Sequence, residues 1–134
     1  MRVTRRGRSA GSGSKLQKKA AKVDFDWPDV AGVVDKVEEE LGEVRAELAK
    51  QSPGEPAAPE LESEIGDLLF SVVNLARKLG VDPEVALEGT NVKFMERFAT
   101  MEQGLKDSGQ SLEDADLGEM ERRWQLAKER GRMA

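Results

Sequence analysis

The chain has 134 residues with 38% apolar and 4% aromatic content. One domain of that size supports one core, built here from Leu, Val and Ala on helices. It contains no cysteine and no histidine, which excludes a disulfide framework, Cys/His zinc sites, Ser-His-Asp triads and the Glu-x-x-His ligands of di-iron bundles. Charge is divided unevenly: residues 1–23 hold eight Lys or Arg and no acid, against 13 basic and 26 acidic residues in the remainder.

The first 14 residues, MRVTRRGRSAGSGS, are Gly/Ser/Arg-rich and read as a disordered basic tail, with a single domain expected over 15–134. A basic tail can contact nucleic acid or membrane surfaces, but the composition favours disorder, so no nucleic-acid partner is expected. No run of 18 apolar residues exists, so no membrane span is expected. The absence of a signal-peptide pattern and of cysteine makes the cytoplasm the expected location.

A short segment from Lys15 to Val23 leads into Asp24-Phe25-Asp26-Trp27-Pro28, with Pro28 expected in the first turn of a long helix over about 29–50. The apolar residues Val30, Val33, Val34, Val37, Leu41, Val44 and Leu48 recur at the three-and-four spacing of one buried stripe. Residues 51–59, with three prolines, read as a loop. A second helix over about 60–79 stops at Gly80, and its apolar arc, from Leu61 through Leu79, is wider than one partner needs, as suits a central helix or a dimer interface. Asp82-Pro83-Glu84 starts a third helix reaching about Gly104, with Leu87, Phe94, Phe98, Met101 and Leu105 on its core face. Asp116 and Glu119 form a capping-box pattern for a fourth, from about Leu117 to Arg130, with Leu117, Met120, Trp124 and Ala127 in one stripe. No strand-like alternation competes, so the fold class is all-α, a four-helix-bundle type completed by dimerisation.

The polar residues carry the functional signal. Residues three apart share a helix face, so Glu40 with Glu43, and Glu64 with Asp67, each present two carboxylates toward one side. At about 100° per residue, Lys36, Glu40, Glu43 and Glu47 share one flank of the first long helix, while Glu39 points nearly opposite the core. Glu60, Glu64, Asp67, Ser71 and Asn74 share one flank of the second. Antiparallel packing across the short loop brings the acidic flanks together. Converging carboxylates repel unless a cation sits among them, and the hard ion that takes all-oxygen ligands and shares them with phosphates is Mg²⁺, with Mn²⁺ a substitute. The bland alternative is a solvated acidic face.

On the third helix Lys93 and Arg97 lie four apart beside Thr90, a pairing suited to phosphate oxygens or to plain surface charge. Asn91 falls on the apolar side, where an amide is more often satisfied in a core. Trp124 in its stripe is either core or a flat surface for a nucleobase, with Lys128 a turn beyond.

Taken in order, these residues resemble the MazG-like nucleoside triphosphate pyrophosphohydrolases, an all-α superfamily that includes dimeric dUTPases and phosphoribosyl-ATP pyrophosphohydrolases. The hallmark Glu-Glu-x-x-Glu followed by Glu-x-x-Asp stands here as Glu39-Glu40-x-x-Glu43 and Glu64-x-x-Asp67. KLQKKAAKVDFDWPDV, EIGDLLFSVVNLARKLGVDPEVAL, NVKFMERF and MERRWQLAK extend the match from Lys15 to about Arg130 and look like the catalytic C-terminal MazG domain in particular. The resemblance implies Mg²⁺-dependent hydrolysis of a nucleoside triphosphate between the α- and β-phosphates, a house-cleaning activity on the nucleotide pool, in a homodimer or dimer of dimers. It implies metal ligation by Glu40, Glu43, Glu64 and Asp67, with Glu43 or Glu39 orienting water. Lys36, Asn91, Lys93 and Arg97 then lie near the phosphates, and Trp124 and Lys128 match nucleotide-contacting positions. Rival expectations are a phosphoribosyl-ATP, dUTP or dCTP pyrophosphatase of the same superfamily, or a non-catalytic helical dimerisation module.

Overall fold

A computed structural model of the chain describes residues 10–22 and 26–133. Five helices follow in order: α1 (Ala10–Ala21), α2 (Val30–Leu48), α3 (Pro59–Lys78), α4 (Pro83–Asp107) and α5 (Leu117–Met133). No strand occurs among the described residues. They group into two compact units, one ending at Ala86 and one starting at Leu87. Residues 1–9 of the expected tail, and Val23, Asp24 and Phe25, lie outside the described residues.

In the first unit α3 packs on both α2 and α1. Glu47 and Glu60 line one small cavity at the loop end, and Glu40 meets Glu64 and Asp67 further along, so α2 and α3 run antiparallel. Asp29 caps α2, its carboxylate accepting from the Gly32 N–H at 3.0 Å. Pro28 therefore precedes the cap and does not occupy the first turn. Pro59 opens α3, where a missing N–H costs nothing, and the Gln51 side chain accepts from the Ala58 N–H at 2.6 Å. Gly80, at φ +71, ends the helix in the left-handed conformation that glycine adopts without strain.

Helix α1 begins at Ala10, inside the stretch read as tail. Its buried face is polar and small: Ser14 and Gln17 are buried, while its one large apolar side chain, Leu16, is 56% exposed. Gly13 lies over Val73 and Phe70, where a Cβ would meet them at 3.5 and 3.6 Å, and Gln17 Nε2 donates to the Phe70 carbonyl at 2.8 Å. Tertiary packing thus holds a Gly/Ser-rich segment in a helix against its propensity.

In the second unit α4 continues three residues past its expected end. Gly104 stays helical, and the stop falls at Gly109, at φ +76. Asp116 caps α5 by accepting from the Glu119 N–H at 2.8 Å, but the Glu119 carboxylate turns to Arg122 and Arg123, both at 2.9 Å, so only half of the capping box forms. Phe94 and Trp124 pack at 5.1 Å between ring centroids, tilted by 53°, and Met101, Leu105 and Ala127 are buried.

Several expected core residues are exposed. Leu48, Leu69, Val72 and Leu79 in the first unit, and Leu87, Phe94 and Leu117 in the second, each leave more than a third of their surface open. The buried apolar side chains among the described residues are Val33, Leu61, Val73, Met101, Leu105 and Ala127.

Candidate metal centre

The acidic flanks of α2 and α3 meet. Glu40, Glu64 and Asp67 each place a carboxylate oxygen within 4.8 Å of the others. Glu40 is 8% exposed, Glu64 is half-buried and Asp67 is exposed, so the cluster opens to solvent on the α3 side. Helical spacing puts Glu64 and Asp67 one turn apart on one face, and antiparallel packing supplies Glu40 from the other helix.

Electrostatics record the crowding. Partial desolvation, then the charges of Asp67, Glu40, Glu43 and Glu47, hold the Glu64 carboxyl above its ordinary pKa. A hard divalent cation reverses that penalty, because its charge favours the ionised carboxylates. The donor set is all oxygen, in a sequence with no cysteine and no histidine, and fits Mg²⁺ or Mn²⁺ over soft metals. The residues therefore fit the ion that the sequence suggested. Glu43 is exposed and stands outside the three-oxygen group, one turn from Glu40; its charge still bears on Glu64.

Lys36 sits beside this cluster. Its ammonium lies 2.9 Å from Glu40 Oε1 and 3.4 Å from Glu39 Oε1. The bond to Glu40, with smaller help from Glu39, raises the Lys36 pKa against the opposing effect of burial. Glu39 itself is exposed.

The remaining predicted site residues belong to the second unit. Lys93 and Arg97, one turn apart on α4, line an open cavity of about 770 Å³ together with Glu96, Thr100, Arg130 and Arg132. Four cations face one carboxylate there. Arg130 and Arg132, the basic residues of the last turn of α5, were not singled out in the sequence. Asn91 is exposed and is not the satisfied core amide that its position on the apolar side suggested. Trp124 is half-buried against Phe94, and Lys128 is half-buried one turn beyond.

The helical architecture and an all-carboxylate cluster shared by two antiparallel helices define the class: an all-α protein whose carboxylates could hold a hard cation. Residues 21–101 match the family model of the MazG nucleotide pyrophosphohydrolase domain, and the chain belongs to that family. It is similar to the nucleoside triphosphate pyrophosphohydrolase/pyrophosphatase MazG of Thermotoga maritima, 45% identical over 114 residues, which are 85% of this chain and 42% of the relative. The nucleoside triphosphate pyrophosphohydrolase of Escherichia coli (strain K12) is 46% identical over the same length and shares. The uncharacterized protein YabN of Bacillus subtilis is 44% identical over 74 residues, 55% of this chain and 15% of that protein. The chain thus spans less than half the length of the first two relatives.

Proposed function

We propose that this protein hydrolyses nucleoside triphosphates between the α- and β-phosphates, releasing the nucleoside monophosphate and pyrophosphate. One observation carries the reading: three carboxylates from two helices converge in a chain of the MazG family, with Glu64 under repulsion that a bound cation relieves. Glu40, Glu64 and Asp67, with Glu43 one turn on, hold Mg²⁺, which when bound supplies charge neutralisation and activates water at neutral pH. Mn²⁺ serves as a substitute.

The chain's own residues do the rest. Water adds to the α-phosphorus, the bond to the α–β bridging oxygen breaks, and pyrophosphate departs. One exposed carboxylate, Glu43 or the neighbouring Glu39, orients that water and accepts its proton. Lys36, Lys93 and Arg97 hold phosphate oxygens; Arg does so through a planar fork and Lys as a point charge, and both stabilise charge that grows in the transition state. Asn91 and Lys128 contact the nucleotide, and Trp124 offers a ring face to the base. The exposed apolar surfaces of Leu69 and Val72 on α3 and of Leu79 just past its end are covered in a homodimer, or in a dimer of dimers. The cytoplasm, where nucleotide pools reside, is the proposed location.

The test is pyrophosphate release from a panel of ribo- and deoxyribonucleoside triphosphates, with dUTP, dCTP and oxidised purines included, in Mg²⁺ and in EDTA. Magnesium-dependent release with the monophosphate as co-product is the expected result. No release from any member of the panel, with folded protein, moves the reading to a phosphoribosyl-nucleotide substrate or to a non-catalytic dimerisation module.

A further inference from the structure

Lys36 and the proposed metal compete for one carboxylate. Glu40 is the least accessible member of the three-oxygen cluster, and its Oε1 is held at 2.9 Å by the Lys36 ammonium. Among the described residues this is the one ion pair made by any of the cluster's carboxylates: Glu64, Asp67 and the neighbouring Glu43 have none. The cluster is therefore neutralised from one side only, by a cation on a flexible four-carbon stem whose side chain is 35% exposed.

An ammonium and a divalent cation on the same carboxylate repel, because both charges sit within a few ångströms at a partly desolvated place. A cation arriving among Glu40, Glu64 and Asp67 weakens the hold of Glu40 on Lys36. The second contact, to the exposed Glu39 at 3.4 Å, is longer and solvated, so it retains the ammonium poorly. We propose that Lys36 is an exchangeable counter-ion: it neutralises Glu40 before the metal binds, and is released by the metal to pair with the phosphate chain of the substrate. This rests on the metal and phosphate reading above and adds to it a coupling between the two ligands.

Linkage makes the coupling reciprocal: if metal frees Lys36 for phosphate, phosphate holds Lys36 away and favours metal by the same factor. A static Lys36–Glu40 pair on one helix, the ordinary four-apart arrangement, gives no such coupling. The two pictures differ in what removal of the ammonium does. Without Lys36, the competitor for Glu40 is gone and the site alone takes metal more tightly, while phosphate loses its partner.

The experiment measures Mn²⁺ affinity by electron paramagnetic resonance, and inorganic tripolyphosphate affinity without metal and with saturating Mn²⁺. It compares the unaltered chain with Lys36→Gln and Lys36→Met. Lys50→Gln, which breaks the 2.9 Å pair with Glu47 outside the cluster, is the control. The expected results are tighter Mn²⁺ binding without phosphate by about fivefold in both Lys36 variants, and a Mn²⁺-dependent gain in tripolyphosphate affinity that drops by a similar factor, the lower end of measured couplings between sites. The control changes neither. Unaltered Mn²⁺ affinity and an unaltered gain in the Lys36 variants, with melting curves showing that they fold, overturn the exchange while leaving the metal site standing. No Mn²⁺ binding by the unaltered chain overturns the metal reading itself and the exchange with it.

Discussion

Asp26, just ahead of α2, is tied to Arg77 near the end of α3 by an ion pair, and its second oxygen accepts from Lys78 at 3.0 Å. Arg77 is in turn fixed by Asn74 Oδ1, at 3.1 Å from Nε and 2.9 Å from Nη2. The approach to α2 is thereby fastened to the far end of its partner helix. The Arg77 bond, with help from Lys78 and the Trp27 N–H, lowers the Asp26 pKa from 3.8 to about 2. A depressed carboxylate pKa contributes stability above the unfolded value that is lost as pH falls through the folded one. Asp26→Asn is therefore expected to melt lower than the unaltered chain near pH 6, and the gap is expected to shrink between about pH 4 and pH 2. Thermal unfolding across that range checks it; a gap constant down to pH 2 contradicts the pairing.

Glu64 has the opposite sign. Its raised pKa means that the folded chain binds a proton more readily than the unfolded one, so this group's contribution falls as pH rises through its titration in metal-free protein. Glu64→Gln removes the repulsion and is expected to raise the melting temperature in EDTA. With the unaltered chain, Mg²⁺ at about 100 times its dissociation constant stabilises by about 2.7 kcal/mol, a shift of several degrees in a chain of this size. Glu64→Gln is expected to lose most of that shift. Melting curves with EDTA and with Mg²⁺ decide both points.

Glu40→Ala and Asp67→Ala are expected to lower pyrophosphate release by at least about 10²-fold, the scale seen when one transition-state-stabilising group is removed. Circular dichroism is expected to show the helices intact. Full activity in both variants contradicts the assignment of these carboxylates.

Gln17 combines a bond with a deficit. Its Nε2 donates to the Phe70 carbonyl, but its Oε1 is buried without a partner among the described residues. Gln17→Met keeps the shape, gives up about 1 kcal/mol of hydrogen bonding and removes an orphan that costs about 1–3 kcal/mol. The expected outcome is unchanged or higher stability. Gln17→Ala leaves a void under α1 and is expected to increase protease cleavage near Lys18 and Lys19, which mass spectrometry of limited digests reads directly.

The structure packs Trp124 against Phe94, and the same ring is the one proposed above to face the base. Trp124→Leu is expected to cost about 1–2 kcal/mol by loss of aromatic contact and volume. Trp124→Phe keeps most of that stability, and raises KM more than it lowers kcat where the indole face stacks on the base. Denaturant melts and steady-state kinetics on the same two variants separate the roles.

Much of this protein was legible in its sequence because helices announce themselves locally. The stripe in α2, the arc in α3, the aspartates at positions 82 and 116 and the glycine at 80 set the elements, and their ends fall close to expectation. Spacing put Glu40 on one flank of its helix and Glu64 with Asp67 on one flank of theirs, since three- and four-residue periods are properties of one helix, and the short loop gave the antiparallel packing that makes the flanks face each other. Helix α1 had no such signal before Lys15: its buried face is Gly13, Ser14 and Gln17, which has no apolar period, and only contact with α3 makes it helical. Tertiary structure also decided which acidic groups share a point. Glu43 has the same flank as Glu40 in projection, yet one turn of rise leaves it outside the oxygen cluster. Lys36 was readable as a neighbour of Glu40, but that the carboxylate it holds is a buried one in a three-carboxylate cluster depends on α3 covering Glu40 and bringing two more negative charges to it.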